Sequence, residues 1–304
     1  MGMMSLSRLM SRAPAPVFPA IGPGRQADVE RLLSRSGLRA AATPRDAAIL
    51  LVAGDIPGTA AAPLARVHDQ IPRPRVTVSW GHDEPDAIAA RIAEAWREVC
   101  AGGEGEGDRL PDEPPNKWKG VGPNGQGGKG MMGGVPYGRP MAMTGPDIRD
   151  GLQLDRYTAR FGPFAPMLPP GLVLEVTLQG DVICDVTVET QPFAQPADAD
   201  APDLCAARML RLLGLAGPAD RATAGKKPRG VWMRGAVPGG LGSVDGAGDA
   251  RDRLSRWLSG TPVTASVPDI PALLKGAEWS EAMLILASLP PSAILRACQT
   301  PEAA

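Results

Sequence analysis

The sequence predicts an α/β fold with an added β module: a small parallel-sheet, flavodoxin-like domain, a glycine- and proline-rich connection, an antiparallel β hairpin module and C-terminal helices. Three observations carry this prediction. Two short apolar runs, "PRDAAILLVAG" at 44–54 and "PRVTVSWG" at 74–81, each precede a helix-forming segment, the strand–helix–strand–helix order of a parallel sheet with covering helices. Further on, "GLVLEVTLQGDVICDVTVET" alternates apolar and polar residues on both sides of a Gln-Gly-Asp turn, the pattern of an antiparallel hairpin. Between them, residues 101–151 lack hydrophobic periodicity over a length unusual for a loop inside a compact domain.

Residues 1–43 read as an extended N-terminal segment that packs on a partner. Their opening, "MGMMSLSRLMSRAPAPVFPA", carries arginines and no acid before Asp28, and it lacks the continuous apolar core of a secretory signal. Residues 44–100 form the α/β domain. "TAAAPLARVHDQ" has the make-up of a helix, and in "HDEPDAIAARIAEAWREV" Asp83 or Glu84 can cap, Pro85 suits the first turn, and Ile88, Ile92, Trp96 and Val99 share a face. Residues 101–151 are a Gly/Pro/Met-rich loop or linker. Residues 152–193 are the β module, with Leu172, Leu174, Val176 and Leu178 facing one way. Residues 194–304 are helical: "DLCAARMLRLLG" capped by Asp203 and stopped by Gly214, "DARDRLSRWL", "SEAMLILASL" capped by Ser280, and "PSAILRAC".

Composition narrows the function. The 304 residues carry 32 basic and 33 acidic side chains, a net charge of −1, so no overall field recruits nucleic acid and none is expected as a partner. With 37 glycines and 33 prolines but only 4% aromatic residues, ordered cores are local and joined by irregular chain. Cys100, Cys184, Cys205 and Cys298 have no paired or metal-ligand spacing and read as free thiols of a reducing compartment, hence a cytoplasmic location. The longest apolar runs are too short to cross a bilayer, which leaves peripheral membrane association.

Several motifs invite a chemical reading. "GVGPNG" places glycines at 120, 122 and 125 in a dinucleotide-like spacing, but neither a preceding strand nor a following helix supplies the amides that would hold a pyrophosphate. A P-loop fails as well, since Lys129 is followed by Gly130 where a magnesium-binding hydroxyl is needed. What remains is a loop bearing Met131, Met132, Tyr137, Arg139, Met141 and Met143, adaptable side chains suited to contacting a partner or ligand. Of the two histidines, His68 reads as a partly exposed helix residue. His82, with Asp83 and Glu84, falls at the C-terminal end of a parallel strand, where α/β domains place their sites, and the three are candidate catalytic groups. Asp83 and Glu84 are equally natural caps for the next helix. The basic segment "GKKPRGVWMRG" at 225–235 reads as a solvated loop able to contact phosphate.

Two stretches resemble known proteins. Residues 44–81 are similar to the small iron-sulfur subunit shared by respiratory complex I and NiFe hydrogenases. Pro44, Arg45, Val52, Ala53, Gly54, Asp69, Gln70, Pro72, Pro74 and Gly81 match its motif without a gap. Residues 161–183 resemble the N-terminal β module of the large, quinone-site subunit through Gly162, Pro163, Pro166 and Gly180. The resemblance implies a small-subunit-like domain joined to a large-subunit-like β module. The departures bear on activity. The family's [4Fe-4S] cluster needs cysteine thiolates, yet no cysteine precedes Cys100 and Asp83 stands where a ligand is expected. The two motif histidines fall on Ala165 and Pro169. The resemblance thus implies a non-catalytic structural or assembly subunit of a complex-I-like, NADH:quinone oxidoreductase-like, or hydrogenase-like complex. Such a subunit would bind no cofactor of its own, have other redox subunits as partners, and sit at the cytoplasmic face of the inner membrane. The other reading is a free-standing quinone- or nucleotide-binding protein or enzyme that uses the cleft near His82 and the methionine-rich loop.

Overall fold

A four-stranded parallel sheet organises the N-terminal part of the chain in the computed structural model, which describes residues 10–111, 143–146, 151–226, 232–267 and 269–299. Strands β1 (Ala15–Ile21), β2 (Leu38–Ala40), β3 (Ile49–Ala53) and β4 (Val76–Trp80) lie in the order β2-β1-β3-β4. Helix α1 (Gln26–Leu33) follows β1, α2 (Ala61–Gln70) connects β3 to β4, and α3 (Pro85–Cys100) follows β4. The chain steps from β1 out to β2 and then returns to the other side of β1 as β3. That reversal creates a switch point at the C-terminal ends of β1 and β3.

The expectation of an extended segment over 1–43 is corrected here, because residues 15–40 supply β1, α1 and β2, with β1 inside the sheet. Pro16 and Pro19 hid this strand, since proline cannot donate to a ladder. Both sit where no donor is needed. Pro16 precedes the β1–β3 register, which begins at Val17↔Ile49, and its carbonyl still accepts the Ala48 N–H at 3.0 Å. Pro19 lies beyond the point where β2 ends, after Val17 has accepted the Ala41 N–H at 2.8 Å.

One face of the sheet buries Val17, Ile49, Leu51 and Trp80 against Val29 and Leu32 of α1 and Ile88 and Ile92 of α3. Trp96 and Val99 complete the α3 stripe half-buried. The other face packs Phe18, Ala20 and Leu50 against Ile71 and against Phe164 from the β module. The module holds four antiparallel strands in chain order, β5 (Met143–Pro146), β6 (Gln153–Phe161), β7 (Val173–Gln179) and β8 (Val182–Thr190), with the expected β7–β8 hairpin turning at Gly180. Leu172, Leu174 and Val176 are buried as the alternation requires, and Leu178 is half-buried.

The helices that follow are α4 (Pro202–Leu212), α5 (Ala216–Thr223), α6 (Trp232–Gly235), α7 (Ala250–Leu258), α8 (Ile270–Leu274), α9 (Trp279–Ala287) and α10 (Pro291–Gln299). α4, α7, α8, α9 and α10 cover the β module in one cluster that joins Leu174 and Val176 to Met209, Leu254, Ile285 and Ile294, while Ala219 of α5 and Met233 of α6 pack with Ala207 and Leu210 of α4 in a smaller one. Two caps differ from expectation. Asp203 sits in the first turn of α4, which Pro202 opens, and α9 begins before Ser280, with the Glu281 carboxylate accepting the Glu278 N–H at 3.1 Å. Among the described residues no single helix is long and apolar enough to cross a membrane. The apolar pair α9 and α10 is bent by 102°.

Arg253, 0% exposed, holds this helical region together. Its Nε donates to the Ser288 carbonyl at 2.9 Å, its Nη2 to Gly242 at 2.9 Å, and its Nη1 to the Gly248 carbonyl. These partners are neutral, so burial pushes the guanidinium down to about 10, against the pull of Asp249 and Asp252. It stays charged at neutral pH.

The two sheets meet through a second buried arginine. Arg208 on α4, 3% exposed, donates from Nε to Glu30 Oε1 at 2.7 Å and from Nη2 to Glu30 Oε2 at 2.8 Å. The loop 162–171 lies beside it, with glycines at both ends. A Cβ at Gly162 (φ 111°) would stand 2.0 Å from the Leu172 carbonyl oxygen, and one at Gly171 (φ 90°) 2.6 Å from the Phe193 ring. Both positions therefore demand glycine.

Replacing Arg208 by leucine leaves the half-buried Glu30 carboxylate without its charge partner and is expected to cost about 3 kcal/mol in denaturant unfolding, most of it restored when Glu30 is also made leucine. Gly162→Ala is expected to destabilise by at least about 2 kcal/mol, since only backbone lies in the way.

Candidate functional site

In a sheet of this order the crevice at the switch point is the natural ligand site, and the N-terminus of α1 faces it through the loop Gly22-Pro23-Gly24-Arg25. Free amides at such a helix start attract anions. Here two amides of this turn, those of Gly24 and Gln26, are occupied by the chain itself. Gln195, from the segment after β8, accepts the Gln26 N–H with Oε1 at 3.0 Å and donates from Nε2 to the Gly22 carbonyl at 3.3 Å. Ala194 accepts the Gly24 N–H at 3.0 Å. Arg25 then crosses the crevice, lying 4.8 Å from the Trp80 ring, pairing with Asp28 at 3.0 Å and donating to the Gly81 carbonyl. Gly54 (φ 76°) makes room for it, since a Cβ there would stand 2.8 Å from Arg25 Cγ.

His82, Asp83 and Glu84 lie at the outer end of β4 and all are exposed. The Asp83 carbonyl accepts the Trp80 indole N–H at 2.9 Å, and its carboxylate pairs with Arg91 at 3.2 Å. Glu84 marks the start of α3 without capping it through its side chain. Among the described residues no hydrogen bond joins His82 to either acid, so the three are neighbours in sequence without forming an acid–base constellation. Of the methionine-rich loop, Met143 opens β5, whereas Met131, Met132, Tyr137, Arg139 and Met141 lie outside the described residues, as does the glycine motif at 120–125.

The second histidine departs most from expectation. His68 is 1% exposed rather than partly exposed. Its Nδ1 faces Asp69 Oδ1 at 2.7 Å and its Nε2 faces Glu106 Oε2 at 2.9 Å. Each ring nitrogen thus has a carboxylate oxygen within hydrogen-bond distance. Burial alone would raise Asp69, but the N–H groups of Arg109 and Leu110, together with His68, bring it down to about 2. Burial likewise opposes ionisation of Glu106, yet the Thr77 N–H and hydroxyl, His68 and Arg109 hold it below the usual glutamate range. Arg75, 2% exposed, donates to the Ile71 carbonyl at 2.8 Å and binds Asp108, which Arg73 also reaches at 2.5 Å.

This network straps residues 103–111 along β4, the exposed edge of the parallel sheet. Glu106 donates its N–H to the Arg75 carbonyl at 2.8 Å and accepts the Thr77 N–H on its side chain. An edge strand left open invites pairing with another chain, and here it is closed. Sequence reasoning missed the strap because glycines surround it. The available signal was a charge pattern: Glu104, Glu106 and Asp108 alternate as do Arg73 and Arg75.

A separate cleft opens where β2 stops short of the C-terminal half of β1. It has a volume of about 60 Å³ and lies between Ile21 and Leu33 on one side and Phe164 and Met167 of the loop 162–171 on the other, with Gln26, Arg208 and Arg211 also lining it.

Among the described residues no group of three or more His, Cys, Asp or Glu side chains could hold a metal ion. The four cysteines are free, and burial pushes the Cys205 thiol up to about 12. No family model, curated protein or solved structure matches the chain.

Asp69 is depressed in the folded state, so its contribution is present above the usual carboxylate range near pH 4 and is lost as pH falls toward about 2. Amide exchange at Arg109 and Leu110 is expected to accelerate across that window, and Asp69→Asn to remove the acid-dependent step. His68→Leu, which leaves two facing carboxylates, is expected to cost about 2–4 kcal/mol and expose 103–111 to proteolysis.

Proposed function

We propose that this chain is a non-catalytic structural or assembly subunit of a complex-I-like or hydrogenase-like redox complex, one without an iron-sulfur cluster of its own. The observation that carries the reading is the packing of the two resembling stretches on each other. Phe164, from the stretch similar to the large subunit, shares a core with Leu50 and Ile71 from the stretch similar to the small subunit. The pieces that resemble two partner subunits thus occupy one body.

The positions that would carry chemistry support a scaffold. Asp83, at a cluster-ligand position of the resembled family, is engaged by Arg91. Ala165 and Pro169, at the motif-histidine positions, offer no side-chain donor for a quinone carbonyl. In this reading the other subunits of the complex are the partners, and they bring the chain to the cytoplasmic face of the inner membrane.

The test is purification of the native assembly from detergent extracts through a C-terminal tag, followed by mass spectrometry and EPR of the separated chain. Redox subunits are expected to copurify in fixed ratio, with no [4Fe-4S] signal from the separated chain. A chain that runs alone as a monomer, or one that carries a cluster, overturns the reading.

A further inference from the structure

The cleft beside β1 contains a buried oxygen without a hydrogen-bond partner among the described residues. Gln26 lines the cleft, is 2% exposed, and its Oε1 accepts no hydrogen bond among the described residues. The orientation of its amide is fixed by a relay. Arg208 holds both oxygens of Glu30, and Glu30 Oε1 accepts from Gln26 Nε2 at 3.1 Å. A carboxylate cannot donate, so the amide nitrogen must face Glu30 and the carbonyl oxygen must be the free end. Buried acceptors are almost always paired, and an unpaired one calls for a partner.

The surroundings define what that partner is. Ile21, Leu33, Phe164 and Met167 make the walls apolar, and an apolar recess with one fixed polar group is the usual form of a small-molecule site. Both arginines at the cleft are already neutralised, Arg208 by Glu30 and Arg211 by Asp220 at 3.0 Å, so among the described residues no free cation at the cleft awaits a phosphate or carboxylate. Met167 has a φ of 67°, the one non-glycine residue with a positive φ among the described residues. Such strain concentrates at ligand clamps.

We propose that this cleft binds a small uncharged apolar molecule carrying a hydroxyl, a phenol or hydrophobic alcohol, whose O–H donates to Gln26 Oε1. A quinone presents only acceptors and meets another acceptor here. The site belongs to the chain itself and does not depend on the subunit reading.

Calorimetric titration of the full chain with 4-propylphenol, its methyl ether and tetramethyl-1,4-benzoquinone tests this. The phenol is expected to bind about tenfold more tightly than the ether, the ratio one hydrogen bond supplies, with the quinone no better than the ether. Gln26→Leu is expected to bring phenol and ether within about twofold of each other, leaving the apolar contribution intact. Ala165→Trp, at the half-buried cleft wall, is expected to weaken both and serves if Gln26→Leu does not fold. Equal affinity of phenol and ether for the unaltered chain, a preference that survives Gln26→Leu, binding indifferent to Ala165→Trp, or no binding at all overturns the proposal.

Discussion

The bidentate ion pair between Arg208 and Glu30 is the constraint on which the arrangement of the two sheets depends. Apolar contacts such as Phe164 against Leu50 drive the association but tolerate sliding. A guanidinium at 3% exposure does not, because its two donors must meet two acceptors in one geometry. Since Glu30 belongs to α1 and Arg208 to α4, that geometry sets the helices against each other and with them the sheets they cover. The neighbouring pair Arg31–Asp198, at 2.9 Å but largely exposed, contributes far less.

Among the described residues buried arginine serves as a structural device three times, and composition explains why. Few aromatic residues are present, and many core positions are alanine, so few large apolar side chains are available to fill a gap where elements meet. An arginine stem fills such a gap with apolar methylenes while its head ties loops together. Arg75 fastens the strap to the sheet edge, Arg208 joins the two units, and Arg253 gathers three carbonyls from separate turns of the helical region. The partners differ with the surroundings. Carboxylates answer Arg75 and Arg208, whereas Arg253 relies on peptide dipoles and keeps its charge despite a lowered affinity for its proton.

Periodicity made the elements with one apolar face legible: β3, β4, α3 and the β7–β8 hairpin lie where alternation or the helical repeat places them. Elements whose fit depends on distant chain were hidden. The prolines in β1 contradict strand propensity, and only the early end of β2 and the late start of β3 explain why they are tolerated. Buried ion pairs are equally invisible, because no local pattern marks Glu30 as the partner of a residue 178 positions away. His68 illustrates the point from the other side. On α2 it occupies an ordinary helical position, and what distinguishes it arrives from Glu106 in a stretch that reads as linker.

The closure of the switch-point crevice bears on why these pieces share one chain. Gln195 lies 173 residues from the Gly22 carbonyl it binds, yet it completes the start of α1 where a ligand would otherwise serve. Separated from the rest of the chain, the parallel-sheet domain would leave the Gln26 and Gly24 N–H groups without their acceptors, the Glu30 carboxylate without Arg208 and the Phe18–Leu50 face without Phe164. As independent proteins the two parts would have to offset the entropy of association to regain those contacts. Within one chain the second part is held at high effective concentration, and modest contacts suffice. The crevice therefore acts as an internal joint, and recognition of a small molecule is left to the flank of β1, where the short β2 leaves the sheet edge uncovered.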